Sequence, residues 1–238
     1  MTPKFKFMKF FKMVTVFTVV LFFKHYSFAQ EKKDSTHNSF LGFNFQPFSS
    51  YRFLKSDNTE ASTTLKNTLD SIETFKYGYN LGLHYGYQVT KKVNVHIGAS
   101  FINLGEKTTN GTIDKFTNYR TNLYYLSVPL GMNVNVVSRK KYNFHLGLTF
   151  AANILLKQNQ VFTSALNTKV NTITTQYELN KLIFTGSFNS GVDINLSDRS
   201  VFTIDVMYLQ SLQSINKEGS LKKYAFGVGP SFEYKFKF

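Results

Sequence analysis

Seven polar residues carry most of the chemistry open to this 238-residue chain: His84, His96, His145, Asp193, Asp205, Glu233 and Lys235. Imidazoles and carboxylates can hold a metal or exchange protons. The three histidines lack the short, fixed ligand separations that metal sites use, so we expect no metal and no cofactor. His84 and His96 fall near each other across a hairpin around Lys91. Carboxylates sharing a site do acid–base work when their surroundings drive their pKa values apart. Asp193, Asp205 and Glu233 are better accounted for by pairing with Lys235 and the histidines, because a buried charge without a partner is costly. The expectation is an interior polar plug.

Other nucleophiles are few. The chain has no Cys, hence no disulfide, no thiolate ligand and no cysteine nucleophile. A lipid-modifying enzyme at a membrane rim would need a nucleophile, a base and an orienting group together. The stretches Ser49–Thr74, Glu106–Asn122, Lys157–Lys181 and Gln213–Lys223 read as long loops, rich in Ser, Thr, Asn and charge, and contain no His. Such loops are ordinarily solvated. We expect no enzyme.

The elements that place these residues alternate with period two. Between Phe75 and Val89 the odd positions are Phe75, Tyr77, Tyr79, Leu81, Leu83, Tyr85, Tyr87 and Val89. The even positions are Lys76, Gly78, Asn80, Gly82, His84, Gly86 and Gln88. A helix would mix the two sets on every face, whereas a strand separates them. The last segment, Tyr224–Phe238, behaves the same way. Strands are also predicted over Phe40–Phe48, Val93–Gly105, Leu123–Val136, Tyr142–Leu156, Leu182–Asn195 and Val201–Leu212. Thr121–Ser138 has no charge, but Pro129 and the polar Asn122, Ser127, Asn133 and Asn135 argue against a lipid-facing helix.

Eight strands joined alternately by short turns and long loops make an all-β, antiparallel, up-and-down transmembrane barrel. The short turns lie near Thr90–Lys92, Ser138–Lys141 and Ser197–Ser200, with both chain ends on their side. A soluble barrel would need a heavily charged outer face. The second face here is mostly Gly, Asn, Ser and Thr, which suits the crowded interior of a small barrel. Tyr and Phe suit the lipid side, with Tyr at its two edges.

Residues 1–29 read as a cleavable signal peptide. Met1–Lys12 is basic, Met13–Phe23 is apolar, and Ser27-Phe28-Ala29 places small residues for cleavage between Ala29 and Gln30. Eleven apolar residues rise only about 16 Å as a helix, roughly half a bilayer core. A short periplasmic segment, 30–38, would then precede a barrel domain over 39–238. The net charge of +14 loses five lysines with the signal, and the remaining +9 is scattered. No nucleic-acid surface is expected, since phosphate binding needs clustered Lys and Arg. Lys91-Lys92 and Arg139-Lys140-Lys141 crowd two short turns, where they suit either anionic headgroups or water.

Three stretches resemble the PorT-like outer-membrane β-barrel proteins. Tyr124-Tyr125-Leu126-Ser127-Val128-Pro129-Leu130-Gly131-Met132 resembles that family's Y-L-x-[IV]-P-L strand. Gly191-Val192-Asp193-Ile194 followed by Asp205–Leu212 is similar to its closing strands. The terminal Tyr234, Phe236 and Phe238 resemble the aromatic-ended signal read by the barrel assembly machinery. The resemblance implies a role in secretion, gliding or envelope assembly, in an outer membrane, with lipid, the assembly machinery and envelope proteins as partners. The expected work is structural or interactive. A narrow pore for small solutes is the runner-up, and a rim-located lipid-modifying enzyme the third reading.

Overall fold

Successive side chains of a strand point to opposite faces, and in this chain that rule sorts bulky apolar residues from small polar ones along eight long strands. The computed structural model describes residues 38–108, 116–164, 169–172, 179–217 and 219–238. The signal peptide expected over 1–29, its cleavage point at Ala29 and Gln30, and nearly all of the 30–38 segment lie outside those residues.

In chain order the strands are β1 (Ser39–Ser56), β2 (Glu73–Thr74), β3 (Lys76–Gln88), β4 (Val93–Leu104), β5 (Lys107–Thr108) and β6 (Phe116–Ser138). They continue with β7 (Tyr142–Ser164), β8 (Lys169–Thr172), β9 (Leu182–Asn195), β10 (Ser200–Ser211) and β11 (Leu221–Lys237), and one helix, α1 (Glu60–Ile72), follows β1. The long strands pair antiparallel in the ring order β1-β3-β4-β6-β7-β9-β10-β11, and β11 pairs back onto β1. An eight-stranded barrel is thereby closed, and closure leaves no edge of unpaired backbone groups. The short strands β2, β5 and β8 extend the sheet at the long-loop end.

Outward-facing Leu41, Phe43 and Phe45 of β1, Leu81 and Leu83 of β3, and Val128 and Leu130 of β6 are exposed apolar side chains, part of a band that runs round the ring. Such a band faces lipid, not water. Among the described residues no helix is long and apolar enough to cross a membrane.

The closing seam contains an interruption. β1–β11 pairing runs from Phe40↔Lys237 to Phe45↔Phe232 and resumes at Ser49↔Val228. The unchanged register sets Pro47 opposite Pro230. The Phe238 N–H donates to Ser39 O across this seam at 2.9 Å, so odd residues of β1 aim their backbone groups at β11. Both prolines therefore stand where an N–H is wanted and have none to give. The rest of the seam must hold the barrel shut.

Several strands outrun their expected limits. β1 continues eight residues past Phe48 because Tyr51 and Phe53 keep the outward alternation, although Ser49, Ser50 and Arg52 read as loop. β6 and β7 are 23 residues each, well beyond Leu123–Val136 and Tyr142–Leu156. Part of the loop expected at Ser49–Thr74 is α1. Thr59 caps it, its Oγ1 accepting from the Ser62 N–H at 3.3 Å. Asp57 braces the cap: its Oδ1 accepts from Ser62 Oγ at 2.5 Å and Thr59 Oγ1 at 2.8 Å. These hydrogen bonds, that from Ser62 foremost, hold the Asp57 carboxyl below its usual range. Beyond β4 the chain turns at Gly105, whose φ is +145°. A Cβ there would sit 2.1 Å from Thr121 O, so only glycine fits.

Candidate functional site

The lumen brings titratable side chains together from many strands, and it is layered. The layer nearest the short turns holds the residues singled out above. Inward-facing Asp193 of β9, Asp205 of β10, and Glu233 and Lys235 of β11 meet His84 of β3 and His145 of β7. Lys235 Nζ lies 2.9 Å from Asp193 Oδ1 and 3.7 Å from Glu233 Oε1. His84 Nε2 is 2.8 Å from Glu233 Oε1, and His145 Nε2 is 3.0 Å from Asp205 Oδ1. Thr203 Oγ1 donates to Asp193 Oδ1 at 2.5 Å. All of these side chains are buried, so their charges must compensate one another; the His145 ring nitrogens and Asp205 Oδ1 do so by ionic contact without a hydrogen bond between them. His96 of β4 stands beside the group, its ring 5.2 Å from that of His84.

Small residues make room for this layer. A Cβ on Gly42 of β1 would lie 2.3 Å from His84 Nε2 and 2.8 Å from Glu233 Oε1. Glycine therefore lets the wall approach the His84–Glu233 pair. Phe40 closes the short-turn end, with its ring edge-on to His84 at 5.9 Å and the Lys235 ammonium 5.7 Å from its centroid. Among the described residues no group of three His, Asp or Glu is placed to hold a metal ion.

Above the charged layer lies a cavity of about 80 Å³, bounded by Asn44, Asn80, Ser100, Asn133, Asn153 and Asn189 among others. That is well above the roughly 10–15 Å³ needed to admit one water, so it can hold several. Asn, Ser and Thr side chains line it together with Ala99, Ala151, Met207 and Leu209, and His96, His84, Glu233 and Asp205 border it on the charged side.

The layer beyond is apolar, contrary to the lumen of Gly, Asn, Ser and Thr read from the sequence. Phe48, Ile102, Leu123, Tyr125, Met207 and Leu209 point inward and are buried, joined by Leu179 and Ile215 from the loops. Asn180 N–H donates to Ile215 O at 2.8 Å and Ile215 N–H to Lys223 O at 2.8 Å. Those bonds fasten the loop segments over the barrel mouth.

A second ion cluster, missed in the sequence, crowns this roof. Arg52 of β1 donates to both carboxylate oxygens of Glu73, with Nε 2.8 Å from Oε2. Its NH1 lies 3.4 Å from Glu106. Tyr119 of β6 donates to Glu73 and lies 3.1 Å from Arg52 NH2. Tyr119 sits beyond the apolar band, next to the exposed Arg120. Burial, reinforced by Glu73, pushes its phenol well above its usual range, so it stays a hydrogen-bond donor. Lys76 donates to Asn103 Oδ1 and, at 3.3 Å, to Leu104 O. The one available signal was the alternation of Tyr51 and Phe53, which turns Arg52 inward; nothing local marks Glu73 or Glu106 as its partners.

Tyr234, Phe236 and Phe238 lie at the short-turn end of the seam, exposed on the lipid side. No catalytic constellation is formed by the loop residues among those described. Ser62 and Thr59, whose hydroxyls donate to Asp57, are consumed in capping α1.

The family described as "Outer membrane protein beta-barrel domain" matches residues 28–217. No curated protein matches. Solved structures with a similar course include the outer membrane protein OprG from Pseudomonas aeruginosa, at 14% identity over 85% of this chain and 96% of that one, TM-score 0.47. The attachment invasion locus protein Ail of Yersinia pestis has 14% identity over 82% and 99%, TM-score 0.35. The outer membrane protease OmpT from Escherichia coli has 6% identity over 88% and 100%, TM-score 0.42.

Proposed function

Because this chain belongs to the outer membrane protein beta-barrel domain family, we propose that it is a closed, non-catalytic barrel whose long-loop rim meets other proteins of the envelope. The supporting observation is the doubly sealed lumen. One seal is the Asp193–Lys235–Glu233 layer, and the other is the apolar roof crowned by Arg52, Glu73 and Glu106. A barrel built to pass solutes has no use for both. In outer-membrane barrels the long connections face outward, which puts α1 and the β6–β7 extension at the cell surface and the basic short turns in the periplasm. The PorT-like resemblance directs the partner search to secretion and gliding assemblies. Insertion would proceed through the barrel assembly machinery, with Tyr234, Phe236 and Phe238 as the recognised end.

The polar chamber favours a second reading, a narrow pore with a closed resting state. A mild-detergent pulldown from native envelopes separates the two. The wild-type barrel should retain a stable protein partner, and a variant with Glu60–Ser71 replaced by a Gly/Ser linker should lose it while keeping its folded gel mobility. A wild-type pulldown containing no stoichiometric partner would remove the interaction role.

A further inference from the structure

On the outer face of the seam, at its long-loop end, Lys55 of β1 stands directly opposite Lys222 of β11. Like charges directly opposite across two strands repel. Four of the described acids of this rim are committed elsewhere. Asp57 accepts from Ser62 in the α1 cap, Asp70 lies 2.5 Å from Lys66 Nζ, and Glu73 and Glu106 hold Arg52. Among the described residues no carboxylate forms an ion pair with Lys55 or Lys222.

Below the lysines the same face is aromatic. Phe53 is opposite Tyr224, and Tyr51 is opposite Phe226. The Phe226 ring lies 5.7 Å from Tyr51, 6.4 Å from Phe53, 5.8 Å from Phe75 and 6.4 Å from Tyr208. Phe53 remains 58% exposed and Phe75 47%. The occupant that suits this surface is apolar along one part and anionic at one end. At the upper edge of a lipid-facing band, that describes a lipid.

We propose that Lys55 and Lys222 clamp the phosphate monoester headgroup of an outer-leaflet lipid whose acyl chains lie over the Tyr51–Phe53–Phe75–Phe226 patch. Opposite residues of an antiparallel pair have Cβ atoms about 4.5–5.5 Å apart, so the two ammonium groups can converge on one phosphate once Lys222 Nζ exchanges its hydrogen bond to Lys217 O, at 3.3 Å, for the headgroup. A monoester carries about −1.5 to −2 near neutral pH, enough to neutralise both lysines; a phosphodiester carries half as much. Occupancy removes the cross-strand repulsion at the seam, where Pro47 and Pro230 already interrupt the ladder.

The test uses the folded barrel in neutral detergent doped with phosphatidic acid or phosphatidylglycerol, with bound lipid read by native mass spectrometry. Wild type should retain phosphatidic acid in preference to phosphatidylglycerol. Lys55→Gln/Lys222→Gln should lower phosphatidic acid retention roughly thirtyfold, the value of two headgroup-facing charges. Lys157→Gln/Lys181→Gln, exposed lysines of β7 and of the turn into β9, away from the β1–β11 seam, should leave it unchanged. Retention unaffected by the first pair, equal loss with the second, or equal retention of both lipids would each overturn the site. Heat-modifiable gel mobility shows that every variant compared is folded.

Discussion

A chain ending at Glu233 should form no stable barrel. Removing Tyr234–Phe238 deletes the outermost short-turn pairs of the seam, where Phe40, Leu41, Gly42 and Phe43 pair with Lys237, Phe236, Lys235 and Tyr234. The same residues pair on their other side with Ser200, Val201 and Phe202 of β10. Two unpaired edges would then face lipid, at several kcal/mol for each unsatisfied backbone group. The remaining seam already lacks the two bonds that Pro47 and Pro230 cannot make. Lys235 goes too, leaving Asp193 and Glu233 without their cation. The expected result is loss of the heat-modifiable band and of outer-membrane material, with the exported chain degraded in the periplasm. Phe238→Ala separates the causes, since it keeps the backbone bond from Phe238 N–H to Ser39 O. Its failure to insert would show that the terminal ring itself is read; normal insertion would assign the truncation's defect to closure. Normal amounts of folded barrel from the truncated chain would contradict the seam as described.

The parts of this architecture that face lipid were legible in the sequence, because lipid asks every second residue to be apolar. Phe75–Val89 alternates without exception, and β3 follows that run to within a residue at each end. The charged layer was also readable as a set, since Asp193, Asp205 and Glu233 fall on inward positions of consecutive strands. Beyond the band the rule lapses. Ser49, Ser50 and Arg52 resemble loop residues until pairing with β11 and β3 makes them strand. The apolar roof was hidden for a related reason. Ile102, Leu104 and Leu123 are inward residues beside outward Phe101 and Tyr124, so the two faces look alike there and the alternation vanishes. Glu73, Glu106, Arg52 and Tyr119 come from separate places in the chain, and only the folded rim makes them a cluster.

Lys235→Ala should destabilise the barrel by about 3–5 kcal/mol, the usual cost of stranding a buried charge. Its ammonium group is shared between Asp193 at 2.9 Å and Glu233 at 3.7 Å. Glu233 keeps His84 at 2.8 Å, but among the described residues Asp193 keeps Thr203 and a His145 contact of 3.8 Å. Asp193 should therefore carry most of the penalty. Combining Asp193→Asn with Lys235→Met removes both charges while keeping similar volume, and such replacements are often neutral. The double variant should recover more than half of the loss. Urea titrations followed by gel mobility measure both steps. A single variant with wild-type stability, or a double variant worse than the single, would show that the pair does not stabilise the lumen.

Single-channel recording of the purified wild-type barrel in planar bilayers, at moderate salt, tests the doubly sealed lumen most directly. Ions would have to cross the Lys235 layer, the chamber of about 80 Å³ and the packed roof around Phe48, Ile102 and Leu209. A flat baseline is predicted for wild type from preparations shown to be inserted and heat-modifiable. Reproducible unitary steps from the same preparations would contradict the seal and make the barrel a pore.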